Sequence, residues 1–250
     1  MTYVIIDGRR MTIAEFQAAS GLSVGGSLYM RGCTGLTALP PGLTVRGTFV
    51  LTDCPALTAL PAGLTVGGDL WLRDCPALTA LPPGLTVGGR LGIRDCHALT
   101  ALPPGLTVGG DLWLDGCHAL TTLPPGLTVG GSVDIRHCRA LTALPDGLTV
   151  RGALDLTGCT GLTALPDGLI VGASLDLRGC TGLDHYCVGR DARGYAFYGI
   201  PMRDGPHVVA GCRNFTAPQA LAHWWAGGQS NRPDCLALAQ KAIALAEGRP

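Results

Sequence analysis

Apolar and polar positions alternate in a fixed order that recurs every 21 residues. In one unit the apolar positions are Leu64, Val66, Leu70, Leu72, Cys75, Leu78 and Leu81, and the other units carry apolar residues at the same places. From Asp69 to Arg73 polar and apolar residues alternate, which predicts a strand with one face buried. Leu70 and Leu72 should point inward; Asp69, Trp71 and Arg73 should point outward. The chain returns to the same place after each unit, so this strand should pair in parallel and in register with its copies above and below.

The rest of the unit is too short for a regular helix and two loops. Pro82-Pro83-Gly84 and its counterparts fix φ and remove amide donors, which predicts an extended segment close to polyproline II. Glycine pairs such as Gly67-Gly68 sit before the strand, where the backbone turns tightly or packs closely. A single unit would expose its apolar residues, so about three or more must stack to bury them. The predicted fold is a repeat solenoid with one strand of right-handed parallel β-structure per turn, over residues 22–183. Eight strands at the usual spacing give a rod or shallow arc roughly 35–40 Å long.

These residues carry a resemblance. Leu70-x-Leu72-x-x-Cys75-x-x-Leu78 resembles the strand and turn of leucine-rich repeats in which cysteine replaces the usual asparagine. Leu78 to Pro82 resembles the LxxLP of the short bacterial type. The chain departs from that pattern in placing Val66 four residues before Leu70 rather than three. The whole unit is also similar to uncharacterised phage and bacterial proteins built from LPxGLxVGGxLxLxxC repeats. The resemblance implies an interaction surface and no particular ligand.

Because structural positions scarcely vary, the informative residues are those facing outward from the strand. One outward column reads Tyr29, Val50, Trp71, Gly92, Trp113, Asp134, Asp155, Asp176; the next reads Arg31, Thr52, Arg73, Arg94, Asp115, Arg136, Thr157, Arg178. Trp71 and Trp113 flank Gly92, which predicts a notch about 9–10 Å wide. Exposed aromatics beside arginines are typical interface anchors, so Tyr29, Trp71, Arg73, Arg94 and Trp113 form the candidate partner-binding patch. The competing reading packs these aromatics on one another or beneath the terminal segment. The row Asp134, Asp155, Asp176 extends the candidate site, either toward a cation or an arginine-rich partner or as a solvated face that limits aggregation.

Both ends differ from the repeats. Residues 1–21 predict a hairpin, with Val4-Ile5-Ile6 turning at Asp7-Gly8, and then a short helix that begins at a capping box, Thr12 with Glu15. Such a cap should cover the first turn. Residues 184–250 read as β-β-α-α: strands over 194–198 and 207–210 about a turn at Arg203-Asp204-Gly205, a helix capped by Thr216, and a last helix begun by Asp234. This segment is a C-terminal cap or a small docked module.

Composition narrows the function. The 250 residues carry no formal net charge, and 17 of the 18 cations are arginine. With no basic run, nonspecific nucleic-acid binding is not expected. No apolar stretch is long enough to span a membrane, and the N-terminus lacks the features of a standard signal peptide. Eight of the 11 cysteines, Cys33 to Cys180, fall in one column whose members point the same way, which is poor geometry for bridging. They read as reduced, buried side chains, which favours the cytoplasm. His185, Cys187, His207, Cys212, His223 and Cys235 could be drawn as a zinc site, and Cys212 with His223 as a nucleophile and base. Neither has a regular spacing or a third orienting group, so no catalytic residue, metal or cofactor is expected. The expected function is non-enzymatic protein binding on a rigid strand face. Carbohydrate binding and a structural role in a phage or bacterial particle are the alternatives.

Overall fold

The structure is a computed structural model that describes residues 3–6, 9–166, 169–191, 193, 195–202, 205–210, 213–224 and 233–248. It is a parallel β-solenoid. Its front sheet has eight strands in chain order, Leu28–Arg31, Phe49–Thr52, Leu70–Arg73, Leu91–Arg94, Leu112–Trp113, Val133–Asp134, Leu154–Asp155 and Leu175–Asp176. The register is the repeat itself: Leu91 lies beside Leu70 and Leu112, and Gly92 beside Trp71 and Trp113. Alternation decides what faces inward, since Leu70 and Leu72 are fully buried while Trp71 and Arg73 are not.

Each turn holds more β-structure than the single expected strand. A second parallel sheet runs through the Thr-Val pairs, from Ser23–Val24 and Thr44–Val45 to Thr128–Val129, and Thr149–Val150 pairs with Ile170–Val171. These two-residue strands escape a pattern reading because two residues show no period; from Val24 to Val150 their valines are buried, while Val171 at the last pair is half-buried. On the third side, Ala59, Ala80, Ala101, Thr122 and Ala143 form a file of isolated parallel bridges. The prolines of that side lack the amides that would extend the bridges into a sheet.

The glycine pairs sit at the corner between the two sheets, and close approach explains them. A Cβ on Gly88 would meet the carbonyl oxygen of Gly67, and one on Gly67 that of Arg46. The backbones of successive turns are thus stacked at hydrogen-bonding contact, with the Gly88 amide donating to Val66 O at 2.9 Å and the Gly89 amide to Gly68 O at 2.9 Å. At the far end of the front strand the chain needs a left-handed residue before it turns in to the cysteine. That position is held by Gly32, Asp53, Asp74, Asp95, Gly116, His137, Gly158 and Gly179, all with φ between 52° and 74°. Glycine, aspartate and histidine are residues that visit this region, so the column is chosen for backbone conformation.

The interior is built from columns of leucine, valine and cysteine. The eight stacked cysteines are all buried and unbridged. Their thiols meet backbone carbonyls: Cys75 Sγ lies 3.4 Å from Arg73 O, while Cys138, Cys159 and Cys180 lie 3.0 Å from Leu114 O, Ile135 O and Leu156 O of the preceding turn. Burial pushes the Cys117, Cys159 and Cys180 thiols up to about 12.

Both ends of the front sheet have neighbours. Tyr3–Ile6 and Arg9–Thr12 pair antiparallel, and the helix Ile13–Ala18 follows, with Phe16 buried. Thr12 Oγ1 accepts from the Glu15 amide at 3.2 Å and Glu15 Oε2 accepts from the Thr12 amide at 2.7 Å, so both halves of the capping box form. The predicted turn at Asp7-Gly8 lies outside the described residues. After the 3-10 helix Thr181–Tyr186 comes an antiparallel sheet of four strands, Cys187–Arg190, Ala196–Met202, Gly205–Ala210 and Arg213–Thr216. The helices Ala217–Trp224 and Pro233–Ala246 pack against it. The first and last of these strands correct the β-β-α-α expectation. Cys187–Arg190 contains a glycine and an irregular register, and Arg213–Thr216 lacks alternation, so neither shows a strand period. Thr216 opens its helix with its amide donating to Gln219 Oε1 at 3.0 Å. Arg203 and Asp204 of the expected turn are outside the described residues. No helix among the described residues is long and apolar enough to cross a membrane.

Candidate functional site

The front face carries a depression of about 440 Å³ lined by Trp71, Arg73, Arg94, Trp113, Asp134 and the neighbouring Val50, Thr52, Asp115 and Arg136. The strand period puts Trp71 and Trp113 on this surface, and the missing side chain of Gly92 decides how they sit. A Cβ there would collide with Cε3 and Cζ3 of Trp71, so the ring lies directly over the glycine backbone. From that position it reaches Trp113, with ring centroids 5.2 Å apart and planes inclined at 59°. The open notch expected over Gly92 is therefore filled. Two indoles two turns apart lean together because burying their faces gains more than leaving a wet slot between them. Arg90 lies over the Trp113 ring at 5.8 Å and is itself paired to Asp111 at 3.3 Å. Trp113 thus meets both an indole and a guanidinium and is still 38% exposed.

Arg94 approaches Asp95 at 3.4 Å and Asp115 at 3.8 Å. Arg73, which faces the same depression, makes no ion pair among the described residues. Tyr29 stands apart from the tryptophans. It lines a shallower depression of about 420 Å³ that adjoins the first through Val50, Thr52 and Arg73, and it is 67% exposed.

The aspartate row has an intramolecular explanation. Oδ1 of Asp134, Asp155 and Asp176 accepts from the amide two residues on, at 3.2, 2.9 and 3.1 Å, which closes the chain reversal after each strand. Arg136 then binds Asp134 through Nε at 2.9 Å and Nη2 at 2.8 Å, and reaches Asp155 at 3.8 Å. Arg178 grips Asp176 in the same way, at 2.9 and 2.7 Å. Hydrogen bonding to Asp134 raises the Arg136 pKa above its ordinary value. The row is thus already supplied with cations by its own chain, and Asp176 is buried rather than presented. Asp134 belongs to the depression; Asp155 and Asp176 lie outside it. Arg90 and Asp115 were not singled out by the sequence, although Arg90 is the residue just before a strand whose neighbours carry tryptophan.

Of the C-terminal cysteines and histidines, Cys212 and the side chain of His185 lie outside the described residues. Of the others, His207 Nδ1 meets Asn214 Oδ1 at 2.8 Å, His223 stacks on Phe215, Cys187 Sγ lies 3.5 Å from Gly189 O, and Cys235 lines the same depression as His223. Among the described residues no group of three histidines, cysteines or carboxylates could hold a metal ion. Compared with protein-family models, curated proteins and solved structures, the chain matches none of them.

Proposed function

We propose that the chain is a non-enzymatic protein-binding scaffold whose front face is the contact surface. The observation that carries the reading is the depression itself: an apolar floor of paired indoles beside Arg73, a guanidinium with no carboxylate of its own among the described residues. A partner segment that lays an apolar or aromatic side chain on the indoles and a carboxylate on Arg73 suits it best. Parallel stacking fixes the residues in advance, so binding costs little ordering entropy and the aromatic and arginine positions carry most of the affinity. A carbohydrate is less well served, because planes inclined at 59° give a sugar no common platform.

The test is capture of proteins from a native lysate with wild type and with the Trp71→Ala/Trp113→Ala variant, followed by affinity measurement on purified pairs. The proposal expects at least one partner whose Kd rises about tenfold or more in the variant, the scale of a lost hot-spot residue. Partners that bind both proteins equally would remove the front face from the function.

A further inference from the structure

A third depression, of about 330 Å³, lies where the last turn of the solenoid meets the C-terminal sheet. Three guanidiniums from three separate elements line it: Arg178 after the last front strand, Arg193 in the loop that follows Cys187–Arg190, and Arg213 on Arg213–Thr216. Two carboxylates stand near them, both turned into the protein. Asp176 is bound to Arg178, and its side chain is 8% exposed. Asp191, 2% exposed, accepts from the amides of Arg193 and Tyr195 at 2.9 and 3.0 Å and from Arg193 Nη2 at 3.4 Å. One guanidinium is left over. Arg213 makes no ion pair among the described residues; its Nη1 lies 3.4 Å from Nε2 of His223. Burial, and then the charge of Arg213, hold His223 below its ordinary pKa. The wall is completed by Cys235 in the first turn of Pro233–Ala246, an end of a helix that favours negative charge. Tyr195, 45% exposed and packed under Arg193 at 5.2 Å, adds an aromatic edge.

We propose that this junction is a binding site for a phosphate group carried on a small organic ester. A tetrahedral dianion offers more acceptor oxygens than a carboxylate, and the Arg213 fork, with the N–H groups that Arg178 and Arg193 do not give to Asp176 and Asp191, can donate to several of them. The volume exceeds the needs of a bare phosphate, and Tyr195 supplies a surface for the organic half. The site exists only where solenoid and C-terminal sheet meet, so occupancy would tie the two together. It does not depend on the front face being a protein-binding surface.

Isothermal titration calorimetry of the full chain with inorganic phosphate, phenyl phosphate and benzoate tests the assignment. Phenyl phosphate should bind, benzoate should not, and Arg213→Gln should weaken phenyl phosphate about tenfold or more, as loss of a charged hydrogen bond does. Trp71→Ala should leave that affinity unchanged. Should Arg213→Gln fail to fold by circular dichroism, Arg213→Lys, which keeps the charge and loses the fork, should still weaken binding. Tighter binding of phenyl phosphate than of inorganic phosphate supports an ester as the ligand; equal binding of the two overturns the ester and leaves the free ion. The phosphate site is overturned altogether if neither phosphate binds, if benzoate binds as well as phenyl phosphate, or if the folded Arg213 variant binds like wild type.

Discussion

Replacing Gly92 with alanine should alter the candidate site while sparing the fold. The added methyl would occupy the space of Cε3 and Cζ3 of Trp71, and the two side chains cannot both remain. The indole is the part that can move, because it lies on the surface and turns about two side-chain torsions, whereas Leu91 and Ile93 on either side are locked in the core. Swinging Trp71 away ends its contact with Trp113, an aromatic pair worth about 0.5–1.5 kcal/mol beyond its buried area. Alanine in place of a strand glycine returns roughly 0.5–1 kcal/mol through the unfolded chain. The two nearly cancel, so Gly92→Ala should unfold within about 1 kcal/mol of wild type in urea. The change should appear instead in the far-ultraviolet circular dichroism, where two indoles 5.2 Å apart and inclined give an exciton couplet that the variant loses. A couplet that persists would mean the Trp71 ring does not lie over Gly92. A loss of stability of about 3 kcal/mol or more, the scale of a core truncation, would mean that Gly92 fills a packed interior position instead.

Other substitutions separate the kinds of glycine and the thiol column. Gly130→Ala should destabilise far more than Gly92→Ala, by about 1–3 kcal/mol in urea unfolding, because its Cβ meets the backbone of Gly109, which cannot turn aside. Asp74→Val should cost about 1–2 kcal/mol in the same assay, since φ is 52° there and a β-branched residue resists the left-handed region. The buried thiols make stability fall in alkali. With Cys117, Cys159 and Cys180 raised to about 12 in the fold and near 8.5 when unfolded, their stabilisation is complete below about pH 8.5 and is lost as pH rises toward 12. The unfolding free energy from urea titrations in reductant should fall between about pH 8 and 10 more steeply than a single thiol's ~1.4 kcal/mol per pH unit, and a flat profile would contradict the ladder.

The solenoid was legible in the sequence because every unit solves the same packing problem with the same residues. One reading of Leu70, Leu72, Cys75 and Leu78 therefore serves eight turns. The Thr-Val sheet was not, since a two-residue strand has no period and exists only through its pairing with the next turn. The left-handed column shows in the sequence only as Gly, Asp and His, residue types that an apolar period does not register. The same difficulty hid the role of Asp134, Asp155 and Asp176. A carboxylate on a strand face gives no sign that it will accept an amide two residues on and then receive an arginine from the neighbouring column. Trp71 and Trp113 were found by their place in the strand, and their packing on one another was the competing reading; the sequence left that and an open notch side by side because the lean of a side chain along the stack is not periodic. In the C-terminal region no repetition averages out local ambiguity, and the glycine and bulge in Cys187–Arg190 concealed a strand.

The most direct measurement for the front face is selection from a random peptide display library on immobilised wild type, with each recovered peptide remeasured on Trp71→Ala/Trp113→Ala. The account predicts peptides that pair an acidic residue with an aromatic or apolar one and that bind the variant at least about tenfold more weakly, the scale expected when anchor residues are lost. Peptides that bind both proteins equally well, or a selection with no such sequence preference, would contradict it.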